Sequence, residues 1–284
     1  MRESLDNSEI INLQRYPVNQ PGDARRQQTV EQVRAQLAED GCAVIRNFFS
    51  PAGLQVLLDE ANARKANTYY SPTKLCNVYL NDGDEAYPED HARNIFIPRS
   101  NGFITADCFD ENSNAYRLYH WAPLKQFLAD CLGKPELFIY EDPVSNMIVN
   151  VSKPGQLFNW HFDTNEFTIT MLLRPASEGG DFEYVPALRS QQDEHYDEVK
   201  KVLRGDRSRV RQLKLQSGDL QFFLGRYSLH RVSENLGDTD RLLLIMSFTE
   251  KPGVLGNKQR VRNLYGKLSA EHERASVRSD GLVD

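Results

Sequence analysis

The residues with the most chemistry in them are His161 and Asp163, in the stretch Trp160-His161-Phe162-Asp163. Side chains two apart in an extended chain leave the same face, so an imidazole and a carboxylate placed this way can share a metal ion. Alone the pair means little, because six histidines among 40 acidic residues give on the order of one His-x-acid by chance. His195-Tyr196-Asp197 repeats the spacing, but the surrounding pattern predicts a helix over residues 192–203, where positions i and i+2 diverge. His161 and Asp163 gain weight from His230, 67 residues beyond Asp163 in a second strand-rich stretch. Two histidines and one carboxylate in a β context suit non-heme Fe(II), with open coordination positions on one side for a chelating co-substrate and O2. Arg241 follows 11 residues after His230 at the head of an apolar strand. Its planar guanidinium matches a carboxylate, which makes it the anchor expected for the distal carboxylate of 2-oxoglutarate.

These residues need strands to hold them. Residues 137–249 read as short apolar runs separated by turn signals at Pro154-Gly155, Gly179-Gly180, Ser217-Gly218 and Gly237-Asp238, a spacing that predicts a sandwich, jelly roll or barrel. Helices precede it. One runs from the N-cap candidate Thr29 to Gly41, one from Pro51 to about residue 66, and one from Ser113 to Gly133, divided near Pro123. Residues 67–100 lack a period and are rich in Tyr, Asn, Asp and Pro, as an ordered lid over a site would be. The expected organisation is an irregular N-terminal arm (1–26), a helical flank with lid loop (27–135), a β catalytic core (136–250) and a C-terminal extension (251–284) in which Val261, Leu264 and Leu268 mark a short docking helix.

Composition narrows the partners. The chain has 284 residues, 40% hydrophobic and 26% charged, with a net charge of −6, and no run of like charges, which speaks against nucleic acid. No segment approaches the ~20 apolar residues of a membrane span, and the first 25 residues contain no signal-peptide pattern. Four scattered cysteines suit reduced thiols and a cytoplasmic location. The expected partner is a small-molecule substrate; a homodimer is the one assembly considered.

The set His161-x-Asp163, His230 and Arg241 resembles the Fe(II)/2-oxoglutarate-dependent oxygenases. That resemblance implies the double-stranded β-helix (jelly-roll, cupin-like) fold, mainly β with flanking helices. The stretch Glu39-Asp40-Gly41-Cys42-Ala43-Val44-Ile45-Arg46-Asn47-Phe48 is similar to the opening of the phytanoyl-CoA dioxygenase-like branch. Residues 160–167, 179–186 and 225–232 resemble the bacterial clade of free amino acid halogenases and hydroxylases; the likeness covers about residues 30–255. Halogenases of that clade have a small residue where this chain has Asp163, so the resemblance implies hydroxylation or a related oxidation such as desaturation.

A free amino acid would need an anion for its ammonium and a cation for its carboxylate. Glu141, Asp142, Asn165, Glu166 and Arg99 are the groups expected near the mouth. Trp160 and Phe158 are candidate walls, Arg226 a further substrate contact, and Asn146 a hydrogen-bonding partner for the co-substrate. Arg231 is expected on the opposite face in a structural role. Two rival functions stand beside the amino acid hydroxylase: an oxygenase acting on a carrier-bound or lipid-like acyl group, and a non-catalytic metal-binding β-barrel module.

Overall fold

Antiparallel strands make up two main sheets, with two further strand pairs beside them, and the inner faces of the main sheets meet through aromatic contacts, Phe103 against Phe158 and Phe182 against Phe223. This computed structural model describes residues 5–72, 74–274 and 281–283. The larger sheet has seven strands in the order Cys42–Ile45, Leu220–Phe223, Thr168–Arg174, Arg241–Met246, Met147–Ser152, Gly102–Ile104 and Tyr69–Tyr70. The smaller sheet has four, Arg211–Leu213, Phe182–Val185, Leu229–Val232 and Phe158–His161. This is the double-stranded β-helix arrangement, a lumen enclosed between sheets, with helices outside.

Strand alternation sorts the side chains. In Arg241–Met246, Leu242, Leu244 and Met246 enter the main core with Val149, Val151, Ile169 and Met171. There they meet Val30, Val33 and Leu37 of the helix Ala24–Asp40 and Leu124, Phe127 and Leu128 of the helix Ala122–Leu132. Each such side chain contributes roughly 1.5–3 kcal/mol on leaving water. The alternate residues Arg241, Leu243 and Ile245 therefore turn toward the lumen.

Several boundaries differ from the sequence expectation. The first long helix starts at Ala24, not Thr29, because the Asp23 carboxylate accepts from Arg25 N at 2.8 Å and caps it. Thr29 lies inside the helix, its hydroxyl donating to Arg25 O at 2.8 Å. The N-terminal arm is not irregular: it holds a short helix, Asn7–Ile10, and buries Ile10, Ile11 and Val18 in the main core. The helix Pro51–Arg64 lies so close to it that a Cβ on Gly53 would stand 2.1 Å from Ile10 O. Residue 135 is no boundary either, since three strands of the large sheet come from before it. The helix expected over 192–203 starts at Tyr196, with His195 in the left-handed region (φ 50°). The division at Pro123 is as expected, helices Asn114–Tyr119 and Ala122–Leu132 with the proline in the first turn of the second.

The lid segment is ordered around Asn77, which is fully buried. Its Oδ1 accepts from Tyr79 N and Asn81 N, and its Nδ2 donates to Arg93 O. Val78 O accepts from Phe162 N at 2.9 Å, which ties the lid to the end of the strand carrying His161. Among the described residues no helix is long and apolar enough to cross a membrane. The four cysteines are unpaired; Cys42, Cys76 and Cys131 are buried.

Candidate metal centre and its cavity

His161 closes the strand Phe158–His161 and His230 lies opposite it in Leu229–Val232. Two steps on the His230 strand match three on its partner, a β-bulge. The extra residue brings Phe158 and His161 to the same side, where their rings stack with centroids 3.8 Å apart. Asp163 follows in the loop, its N–H donating to Gly225 O at 3.1 Å. One donor atom from each of His161, Asp163 and His230 lies within 4.8 Å of the others. Asp163 Oδ1 is 3.9 Å from His161 Nε2 and 3.5 Å from His230 Nε2.

The donor set fits a divalent metal ion for reasons visible in its hydrogen bonds. His161 Nδ1 lies 2.7 Å from Asn159 O and His230 Nδ1 lies 3.0 Å from Ser228 O. A carbonyl only accepts, so both Nδ1 atoms carry the proton and both Nε2 atoms present a lone pair to the same point. Asp163 Oδ2 accepts from Thr168 Oγ1 at 2.7 Å, which leaves Oδ1 facing the histidines. Burial holds His161 well below its ordinary range and keeps it neutral. Burial alone would raise the Asp163 carboxyl, but the hydrogen bond from Thr168 opposes it and the carboxylate stays ionised. Phe182 and Phe223 pack on the His230 ring and keep water from that side.

Arg241 heads its strand opposite Ser152 and is 2% exposed. Burial pulls its guanidinium down to about 10, with the Asp181 charge opposing the shift, and its Nη1 has no hydrogen-bond partner. An orphaned buried guanidinium nitrogen is costly unless a ligand completes it. The alternation of the strand aims it into the lumen that holds the triad.

A cavity of about 100 Å³ opens beside His161. Phe158 and Asn165 line it, and Asn165 Oδ1 is buried without a partner. Trp160 does not. The alternation that turns His161 inward sends Trp160 outward to Tyr79 and Val199, under the guanidiniums of Arg207 and Arg231. Arg231 also pairs with Glu183, a structural role on the face expected for it.

Other candidates are occupied elsewhere. Glu141 is exposed and accepts from Gly253 N. Asp142 is fully buried, with Oδ1 accepting from Val144 N and Ser145 N and Oδ2 from Gly256 N and His272. Neither carboxylate is offered to a substrate. Arg226 is fully buried and donates to Thr164 O, supporting the loop after Asp163 from behind. The backbone of Asn146 pairs with Ser247 and Asp142, and its neighbour Ser145, not Asn146, lines the cavity. Arg99 is buried behind Phe103 and Phe158; its Nε donates to Asn101 Oδ1 and its Nη2 has no partner. Glu166 lies in an outer groove with Lys258 and Arg262.

The wall that sequence reasoning missed is the C-terminal helix Lys258–Tyr265, capped by Asn257 and stopped at Gly266 in the left-handed region. Its Arg260, Val261, Leu264 and Tyr265 line the cavity. The apolar positions 261 and 264 did mark a docking face, but not what it docks on.

Fold comparison finds similar architectures among solved 2-oxoglutarate- and iron-dependent oxygenases. A 2OG-Fe(II) oxygenase family oxidoreductase from Burkholderia pseudomallei superposes with a TM-score of 0.52 at 15% identity, covering 78% of this chain and 91% of that one. A prolyl hydroxylase from Trichoplax adhaerens, in complex with a hypoxia inducible factor peptide, gives 0.53 at 14%, covering 84% and 93%. HygX from Streptomyces hygroscopicus gives 0.51 at 15%, covering 77% and 85%. No curated protein matches the chain significantly. The family model Halogenase D (HalD) matches residues 93–260, more than half of the chain, and the chain belongs to that family.

Proposed function

We propose that this protein is an Fe(II)- and 2-oxoglutarate-dependent dioxygenase that hydroxylates a small polar molecule, most simply a free amino acid, in the cytoplasm. The observation that carries the reading is the convergence of His161 Nε2, Asp163 Oδ1 and His230 Nε2 within 4.8 Å in a lumen that also receives the orphaned guanidinium of Arg241. Two solved relatives of the same fold support it: SnoN was crystallised with Fe3+ and alpha ketoglutarate, and HygX with nickel, 2-oxoglutarate and hygromycin B. The resemblance to the phytanoyl-CoA dioxygenase-like branch and its amino acid clade supports the substrate class. Although the family is named for halogenation, the Asp163 carboxylate takes the position that a halide would need. That favours hydroxylation or a related oxidation.

His161, Asp163 and His230 would hold the metal, and Arg241 would hold the distal carboxylate of 2-oxoglutarate. Bound there, metal and co-substrate supply the activation of O2. The chain's own part is positional. Asn159 O and Ser228 O fix the imidazole tautomers, and Thr168 fixes the carboxylate. The Phe158 ring lies flat on His161, and the cavity presents one carbon–hydrogen bond of the substrate to the centre.

The test is anaerobic titration of the protein with Fe(II) and then 2-oxoglutarate. A visible charge-transfer band is expected, absent in His161→Ala, and amino acids are then screened for succinate release. A ferrous protein that shows no band with 2-oxoglutarate would remove the basis of the proposal.

A further inference from the structure

With His161 and Asp163 assigned to the metal, Arg260 is the one charged side chain left among the residues lining the cavity. It enters from the C-terminal helix. Its Nη2 donates to Phe162 O at 2.8 Å, and its Nη1 is 3.5 Å from Tyr79 O. Both acceptors are neutral carbonyls, and among the described residues no carboxylate pairs with it. Arg99 lies close enough for the two guanidiniums to repel. A half-buried guanidinium that bonds only neutral carbonyls, on a cavity whose one carboxylate, Asp163, is taken by the metal, is a site for an anion.

The rest of the lining limits what that anion belongs to. Phe103, Ile148, Ile245, Val261 and Leu264 make its apolar wall, and among the described residues no acidic side chain but Asp163 reaches the cavity. A cationic side chain buried there would lose its water and meet no carboxylate. A single ammonium has an acceptor waiting in the buried and unpartnered Asn165 Oδ1.

We propose that Arg260 fixes the carboxylate of a small amino acid with an apolar side chain, whose hydrocarbon lies against Ile148, Ile245, Val261 and Leu264. This deepens the oxygenase reading of the same site and rests on it for the chemistry, though not for the binding.

The test uses leucine, isoleucine, norleucine, their carboxamides and lysine as probes of the full-length protein. Binding is read by saturation-transfer NMR, which needs no metal, and by perturbation of the charge-transfer band of the ferrous 2-oxoglutarate complex. The wild type should bind at least one of the three apolar acids about 30-fold more tightly than its carboxamide, the scale of a charge-assisted hydrogen bond. Norleucine should exceed lysine. In Arg260→Gln, checked for folding by its melting curve, acid and carboxamide should bind alike, while Arg260→Lys recovers part of the preference. The proposal is overturned if R260Q keeps the acid preference, if lysine outbinds norleucine, or if no probe binds the wild type. Loss of the band in R260Q would assign Arg260 to 2-oxoglutarate and overturn it too. An absent band in the wild type beside Arg260-dependent NMR binding would instead sink the oxygenase reading and leave the anchor standing.

Discussion

Gly225 stands directly against Asp163: a Cβ at residue 225 would lie 2.0 Å from Asp163 Oδ2. The same glycine's carbonyl accepts the Asp163 N–H, so the backbone must approach this closely for the carboxylate to face the two histidines. Gly225→Ala should therefore fold but turn Asp163 aside. Fe(II) affinity, measured by anaerobic titration, should fall by about 10–100-fold; unchanged affinity would show that the loop adjusts freely.

Thr168 supplies the second hold on that carboxylate. Thr168→Val keeps the shape and removes the donor to Oδ2, leaving a buried acceptor unpaired at a cost of about 1–3 kcal/mol. Metal affinity should weaken by about tenfold or more, and Thr168→Ser should restore it.

Arg241 is separable from the metal ligands. Arg241→Met should leave Fe(II) binding intact and raise the 2-oxoglutarate concentration for half-maximal charge-transfer absorption about 100-fold, the effect of roughly 3 kcal/mol from a truncated buried charge pair. Arg241→Lys should recover only part, since a point charge does not reproduce the fork.

Asp142 and His272 tie the C-terminal segment to the core, with both side chains fully buried. Asp142→Ala would leave four donors unpaired, those of Val144, Ser145, Gly256 and His272. A loss of about 3 kcal/mol or more is expected, seen as a fall in Tm of about 5–10 °C. Amino acid binding should weaken as well, because Gly256 and the following helix line the cavity.

Burial pushes the thiols of Cys42 and Cys76 up to about 11, from an ordinary value of 9.0. In the unfolded chain they lose their protons first, so their stabilising contribution is complete below pH 9 and disappears as pH rises toward 11. Thermal stability should decline across that window. At pH 8 only about 0.1% of either thiol is ionised in the native state. A thiol reagent should therefore label Cys108 first and reach the other three only after denaturation.

The sequence shows the candidate metal ligands more clearly than the walls around them. His161, Asp163 and His230 were legible because strand periodicity places side chains by local rules, and an arginine opening an apolar strand is conspicuous at Arg241. Trp160 lies outside the cavity because strand alternation sends it opposite its neighbour His161, whereas the extra residue opposite His230 and Val232, which brings Phe158 to the His161 side, has no signature in composition. Glu141 and Asp142 sat close in sequence to the mouth, yet the partners of Asp142 lie 114 and 130 residues away, at Gly256 and His272. Arg260 escaped notice because a polar residue on a short helix looks solvated until the fold shows what the helix covers. The helical flank looks like a separate region in sequence because nothing local says that its short strands extend a sheet made mostly of later residues.

The strand Arg241–Met246 acts as a ruler. Arg241 marks one end and Ile245, four residues on, touches the substrate cavity, a separation of about 13 Å at the rise of an antiparallel strand. On the proposed reading, co-substrate and substrate would be measured against a single rigid piece of backbone, and lengthening it by two residues would pull the two compartments apart while leaving each one's own lining intact.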